Sequence, residues 1–156
     1  MAFRHITVLG TGVLGAQIAF QSAYHGFDVV AWDIDAASID KARQALSALA
    51  RRYLQELKGA TPATVEAALA RIAYAPDMKA AVAQSDLVIE AIPEQLALKR
   101  KVYAELGALA PAHTVFASNS STLLPSAMAD ASGRPEKFIA LHSANAIWRH
   151  NLAAVM

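Results

Sequence analysis

Runs of consecutive apolar residues alternate along this chain with stretches whose apolar side chains recur every three or four positions. Ile6-Thr7-Val8-Leu9 predicts a buried strand, and the segment from Val13 to about His25 a helix that Gly26 ends. Phe27 to Trp32 predicts a second strand. A long helix follows from about Ala36 to Lys58, with Ile39, Leu46, Leu49 and Leu54 expected inward and Arg43, Arg51 and Arg52 outward. Thr61 and Pro62 read as the cap and first-turn proline of another helix, running to Arg71. Then come a short strand at Ile72-Ala73-Tyr74 and a helix near 78–84. A strand over 86–92, a helix over 94–109, a strand over 114–117, a short helix over 121–131 and a strand over 138–141 complete the series. Repeated β-α-β units predict an α/β fold with a doubly wound, mostly parallel sheet, because parallel neighbours need crossover connections. A long helical insertion, about residues 36–71, follows the second strand. Ser132-Gly133-Arg134-Pro135 reads as a turn rather than a linker, so one domain over 1–156 is expected.

Composition narrows the class. Hydrophobic residues make up 55% and charged residues 17% of 156, the profile of a globular protein rather than a disordered one. A net charge of +1 with no basic stripe argues against a nucleic-acid partner. The chain has no cysteine, which removes disulfides, thiolate metal sites and a cysteine nucleophile, and fits a cytoplasmic location. Residues 5–27 carry no Asp, Glu, Lys or Arg and follow Arg4, so the stretch imitates a signal peptide. Gly10, Gly12 and Gly15 interrupt it, however, and Gln17 and Gln21 follow; a buried strand running into a glycine turn and a buried helix has the same composition. No stretch is long and apolar enough to span a membrane, and no membrane partner is expected.

The first turn carries chemistry. Gly10-Thr11-Gly12-Val13-Leu14-Gly15 is a G-x-G-x-x-G placed after a strand and opening a helix. Its first glycine permits the tight turn, its second lets a pyrophosphate approach the backbone, and its third lets helix and strand pack closely. Free N–H groups and the helix dipole favour phosphate there. Asp33 ends the second strand, 23 residues after Gly10, where a carboxylate accepts hydrogen bonds from an adenosine ribose and repels a 2′-phosphate. The expectation is a Rossmann-type domain that takes NAD. Two blander readings stand beside it: Asp33 caps a turn, or Asp35 is the ribose ligand.

Ligands of open parallel sheets sit beyond the carboxyl ends of the strands. There the sequence places Pro93-Glu94, then Ser118-Asn119-Ser120-Ser121-Thr122, then His142-Ser143-Ala144-Asn145. Oxidising an alcohol by hydride transfer needs a base of near-neutral pKa for the hydroxyl proton, and histidine suits it. A lone histidine after a strand is more often structural, and Ser/Asn clusters are more often caps or turns; their coincidence at one sheet edge favours the site. His5, His25, His113 and His150 have no metal-ligand spacing, and no metal is expected.

Taken together, VLGTGVLG, VVAWD, SDLVIEAIPE, VFASNSST and KFIALHSAN resemble the NAD-binding N-terminal domain of the 3-hydroxyacyl-CoA dehydrogenase family. The resemblance runs over essentially the whole chain. It implies oxidation of L-3-hydroxyacyl-CoA to 3-ketoacyl-CoA, or the reverse, with an acyl-CoA as partner. It assigns Gly10, Thr11, Gly12, Val13, Leu14, Gly15 and Asp33 to NAD, with Glu94, Lys99 and Asn119 near the cofactor. Ser121 would touch nicotinamide and substrate, His142 would be the base, and Asn145 would sit beside the substrate oxygen. Three departures stand out. The family pairs its histidine with a glutamate twelve residues on, where this chain has Ala154, and no acid follows Glu136. Ser143 replaces the usual aromatic residue after the histidine. The family continues into a helical second domain that closes the cleft, so association with such a domain, or self-association through apolar surface at Ile147, Trp148 and Leu152, is expected.

Three functions remain open on sequence alone. One is a 3-hydroxyacyl-CoA dehydrogenase represented by its cofactor half. Another is a related hydroxyacid or hydroxycarnitine dehydrogenase, told apart by whether a CoA thioester or a free acid is accepted. The third is a non-catalytic NAD-binding module, which Ala154 favours.

Overall fold

The computed structural model describes residues 3–150 and 153–155. Six strands run parallel: β1 (His5–Leu9), β2 (Asp28–Trp32), β3 (Ile72–Ala75), β4 (Leu87–Glu90), β5 (Val115–Ser118) and β6 (Phe138–Ser143). A seventh, β7 (Ala153–Val155), pairs antiparallel with β6, and the sheet order is β3-β2-β1-β4-β5-β6-β7. The chain therefore winds outward from β1 in one direction to β3 and in the other through β4 to β6. The switch point lies between β1 and β4, where such folds open a crevice at the carboxyl edge.

Alternation along the strands divides two cores. Ile6 and Val8 of β1, Leu87 and Ile89 of β4, and Ala117 of β5 pack beneath α1 (Val13–Tyr24), α2 (Ala36–Glu56), α3 (Pro62–Ala70) and α7 (Ile147–His150). Leu9, Val88 and Phe116 point to the other face, under α4 (Met78–Val82), α5 (Leu96–Leu109) and α6 (Ser126–Ala129). A period of two on both faces requires apolar residues at every position, which is why β4 reads as a continuous run. The apolar stretch over 5–27 is β1 followed by α1, a buried strand leading into a buried helix.

Local signals at helix starts hold. Thr61 caps α3 in a reciprocal box with Thr64 behind Pro62, and Asp35 caps α2 by accepting from Ser38 N–H at 2.7 Å. Four expectations are corrected. Leu54 is exposed and Tyr53 is fully buried in its place. Seven residues beyond Leu46 return to the same side of a helix, whereas eight turn about 80° away. The helix expected from 121 begins only at Ser126, after Pro125, because the residue before a proline is biased out of the helical region and Leu124 therefore breaks it. β7 and α7 were not foreseen. Ile147 and Trp148 are buried rather than exposed, so they form no self-association patch; Leu152 lies outside the described residues. Trp148 packs beside Tyr53 and donates its indole N–H to Glu56 at 2.6 Å.

No helix among the described residues is long and apolar enough to cross a membrane, and among them no group of three His, Cys, Asp or Glu could hold a metal ion.

Candidate active site

The glycine turn is built by close contact. Gly10 has φ +86°, and a Cβ there would stand 2.7 Å from the Ala91 carbonyl oxygen. A Cβ on Gly15 would fall 1.8 Å from the Gly10 carbonyl oxygen, so α1 can lie against β1 only without a side chain at that position. Above Gly12, by contrast, space is open within 4 Å, and this is where an incoming pyrophosphate needs access to the backbone.

Asp33 closes this turn from β2. Its Oδ2 accepts from Thr11 N–H at 2.8 Å and from Thr11 Oγ1 at 2.5 Å, while Oδ1 accepts from Ile34 N–H at 2.8 Å. Asp35 is committed to capping α2, which leaves Asp33 as the acid at the turn. A cleft of about 510 Å³ opens beside it, walled by Gly10, Gly12, Trp32, Ile34, Ile92 and Leu98 among others. Trp32 is held in that wall by an indole N–H donated to the Pro76 carbonyl at 2.9 Å. An apolar slot flanked by a fixed carboxylate and a free helix N-terminus matches an adenosine diphosphate with an unphosphorylated ribose.

A second hollow of about 400 Å³ shares Ala91 and Ile92 with the first and continues along the carboxyl edge. It gathers Leu14, Glu94, Lys99, Asn119, Ser121, His142 and Asn145, residues that the sequence places on five separate segments. Backbone contacts set their positions. Asn119 Oδ1 accepts from Ser143 N–H at 2.8 Å, tying the end of β5 to the end of β6. Gln17, buried on α1, accepts from Ala146 N–H at 2.9 Å where the chain turns with φ +56°. His142 is half-buried, and its imidazole has no hydrogen bond or ion pair among the described residues.

Beneath this hollow lies a network that sequence reasoning missed. Glu90, the last residue of β4, is fully buried and accepts from Lys99 Nζ at 2.8 Å, Ile92 N–H at 2.9 Å, Ser118 Oγ at 2.8 Å and Tyr103 Oη at 3.2 Å. Burial, and then the Glu90 charge, push the Tyr103 hydroxyl well above its usual pKa, so it stays protonated as a donor. Lys99, also buried, reaches Glu94 Oε2 at 3.0 Å. Burial works to raise the Glu94 pKa, but hydrogen bonds from Ser120, Lys99 and Thr122 outweigh it and lower the carboxyl to about 2. One ammonium thus serves two carboxylates, and Glu94 in turn holds the loop that carries Ser121. The signal was present: a lone acid inside the apolar run of β4 calls for buried partners.

Comparison with known proteins identifies the family. The sequence model of the 3-hydroxyacyl-CoA dehydrogenase NAD-binding domain matches residues 5–156. The chain belongs to that family. It is 35% identical over 157 residues to the mitochondrial hydroxyacyl-coenzyme A dehydrogenase of Rattus norvegicus, covering 98% of this chain and 50% of that protein. Among solved structures, a diketoreductase described in terms of dual catalysis of dicarbonyl compounds superposes with a TM-score of 0.98 at 52% identity, over 100% of this chain and 55% of the other. The 3-hydroxybutyryl-CoA dehydrogenase of Escherichia coli K12 gives a TM-score of 0.92 at 32% identity, over 99% of this chain and 32% of that one. The chain spans about half the length of the curated relatives it matches. It is an NAD-binding domain of the Rossmann type, and NAD is its cofactor.

Proposed function

We propose that residues 1–156 act as one domain, the cofactor half of a dehydrogenase that interconverts L-3-hydroxyacyl-CoA and 3-ketoacyl-CoA. The observation that carries this reading is the single hollow holding His142, Ser121 and Asn145 beside the cofactor cleft. In this reading Gly10 to Gly15 receive the pyrophosphate and Asp33 the ribose, with Thr11 holding the carboxylate in place. Held there, NAD would supply the hydride acceptor for oxidation of the substrate carbinol carbon, and NADH the hydride donor for the reverse. His142 takes the hydroxyl proton as the carbonyl forms and gives it back in the opposite direction. Ser121 and Asn145 donate hydrogen bonds to the substrate oxygen, and Asn119 keeps the His142 segment against β5. Glu94 and Lys99, fixed by their ion pair, would line the hollow where the nicotinamide end of the cofactor is expected. A second wall over the hollow would come from the half of the relatives that this chain does not span, and would exclude water from the acyl site. A cytoplasmic setting belongs to the same reading.

The 52% identity to a diketoreductase favours a second reading, in which a dicarbonyl compound without CoA is the substrate. Consumption of NADH with acetoacetyl-CoA, compared with a free β-diketo ester and with acetoacetate, separates the two. Calorimetric titration of NADH into the same protein runs alongside. Turnover that His142→Ala abolishes without loss of NADH binding supports the dehydrogenase reading. Binding without turnover on any of these substrates counts for a cofactor module, and absence of NADH binding overturns the reading altogether.

A further inference from the structure

His142 borders two hollows at once. One is the site described above; the other, about 280 Å³ and open to solvent, is lined by His142, Ala144, Ala153 and Ala154. The ladder between β6 and β7 sets Ala154 directly opposite His142. Side chains facing each other across an antiparallel pair stand on the same face with Cβ atoms about 4.5–5.5 Å apart, so residue 154 is the cross-strand neighbour of the imidazole. A methyl group accepts no hydrogen bond, and no other described residue supplies an acceptor to this ring. An imidazole that takes a proton through one nitrogen works best when the other donates its N–H to an anion, which fixes the tautomer and stabilises the cation.

We propose that the hollow beside Ala154 is a subsite for a small monocarboxylate of the size of formate or acetate. Its oxygen accepts the ring N–H of His142, and its methyl or hydrogen lies against Ala144 and the β7 backbone at residues 153–154. The anion does from solution what no side chain of β7 does. It forms no covalent bond and is not consumed; it orients the base and offsets the positive charge present while His142 holds the substrate proton. The proposal rests on the reading of His142 as the base, and its test has a readout that does not.

The experiment titrates the protein with sodium formate against sodium chloride at matched ionic strength and follows the ring signals of the five histidines by NMR. His142 is assigned by the signal missing from His142→Ala. Formate is expected to move the His142 signal saturably, with the other four following the chloride control. Ala154→Leu fills the hollow and is expected to abolish that response, and Ala154→Glu to abolish it while supplying the acceptor permanently. In the NADH assay with acetoacetyl-CoA, formate is expected to raise the rate saturably over the chloride control, because an anion on the second ring nitrogen orients the base. Ala154→Glu is expected to reach that rate without formate. A His142 signal that follows chloride, or an Ala154→Leu protein that responds to formate like the parent, overturns the subsite. A saturable shift with no turnover in the parent or in Ala154→Glu supports the subsite and counts, as under the proposed function, for a cofactor module.

Discussion

The substitution Lys99→Met keeps the length of the buried side chain and removes its ammonium. Lys99 and Glu90 are both fully buried at 2.8 Å, so the change leaves the Glu90 carboxylate charged in the interior with only neutral donors: Ile92 N–H, the Ser118 hydroxyl and the Tyr103 hydroxyl. Breaking one side of a buried ion pair costs about 3–5 kcal/mol, against about 5–15 kcal/mol for the whole stability of a domain. Glu94 loses its cation too, but it is partly exposed and water replaces much of that interaction, so little is added for it. The double substitution Glu90→Gln, Lys99→Met removes both charges. Its loss is expected to be about 2 kcal/mol or less, because a neutral replacement of a buried pair often comes close to break-even. Urea unfolding followed by Trp32 and Trp148 fluorescence, with NADH affinity measured on the folded fraction, reads both effects. A loss below about 1 kcal/mol for Lys99→Met would refute the reasoning, since it would mean that Glu90 needs no cation. So would a double variant as unstable as the sum of the two singles, since the charges would then be uncoupled.

Three further outcomes are expected. Gly15→Ala pushes a methyl into the Gly10 carbonyl, and the protein should lose about 1–3 kcal/mol together with NADH binding; an unchanged melting temperature and titration would contradict this. Asp33→Ala frees Thr11 and removes the ribose acceptor, so NADH affinity should fall at least about tenfold, the effect of losing one charged hydrogen bond, while the thermal midpoint stays within a few degrees. Glu56 is held down to about 2 from the usual 4.5 by hydrogen bonds from Arg149, Trp148 and Arg52, against some burial. Its folded pKa lies below its unfolded one, so its contribution is complete above about pH 5 and is lost as pH falls towards 2. Urea midpoints between pH 6 and pH 3 should therefore decline less steeply in Glu56→Gln than in the parent, and equal slopes would show that Glu56 is not the group involved.

The order of β1 to β6 and of the helices between them, the glycine turn and the acid at the end of β2 were legible in the sequence because each is set by neighbours in the chain. Apolar spacing selects strand or helix, Gly10 is favoured by the left-handed φ of its own turn, Gly15 is required by a contact within one β-α unit, and Thr61-Pro62 caps its own helix. Convergence of Ser121, His142 and Asn145 was legible as well, through the rule that parallel strands present their carboxyl ends on one edge. Other features were decided only by the packing of distant segments. Trp148 is buried because it meets Tyr53 and Glu56, more than ninety residues earlier on α2. Glu90 draws its four donors from β4's own exit, α5 and β5, at separations from 2 to 28 residues. The placement of Ala154 across from His142 depends on a strand that returns antiparallel at the sheet edge. Local propensity acts over one or two turns of chain, whereas the partner of a buried charge or of an imidazole is chosen by whichever segments the tertiary fold brings within hydrogen-bond reach.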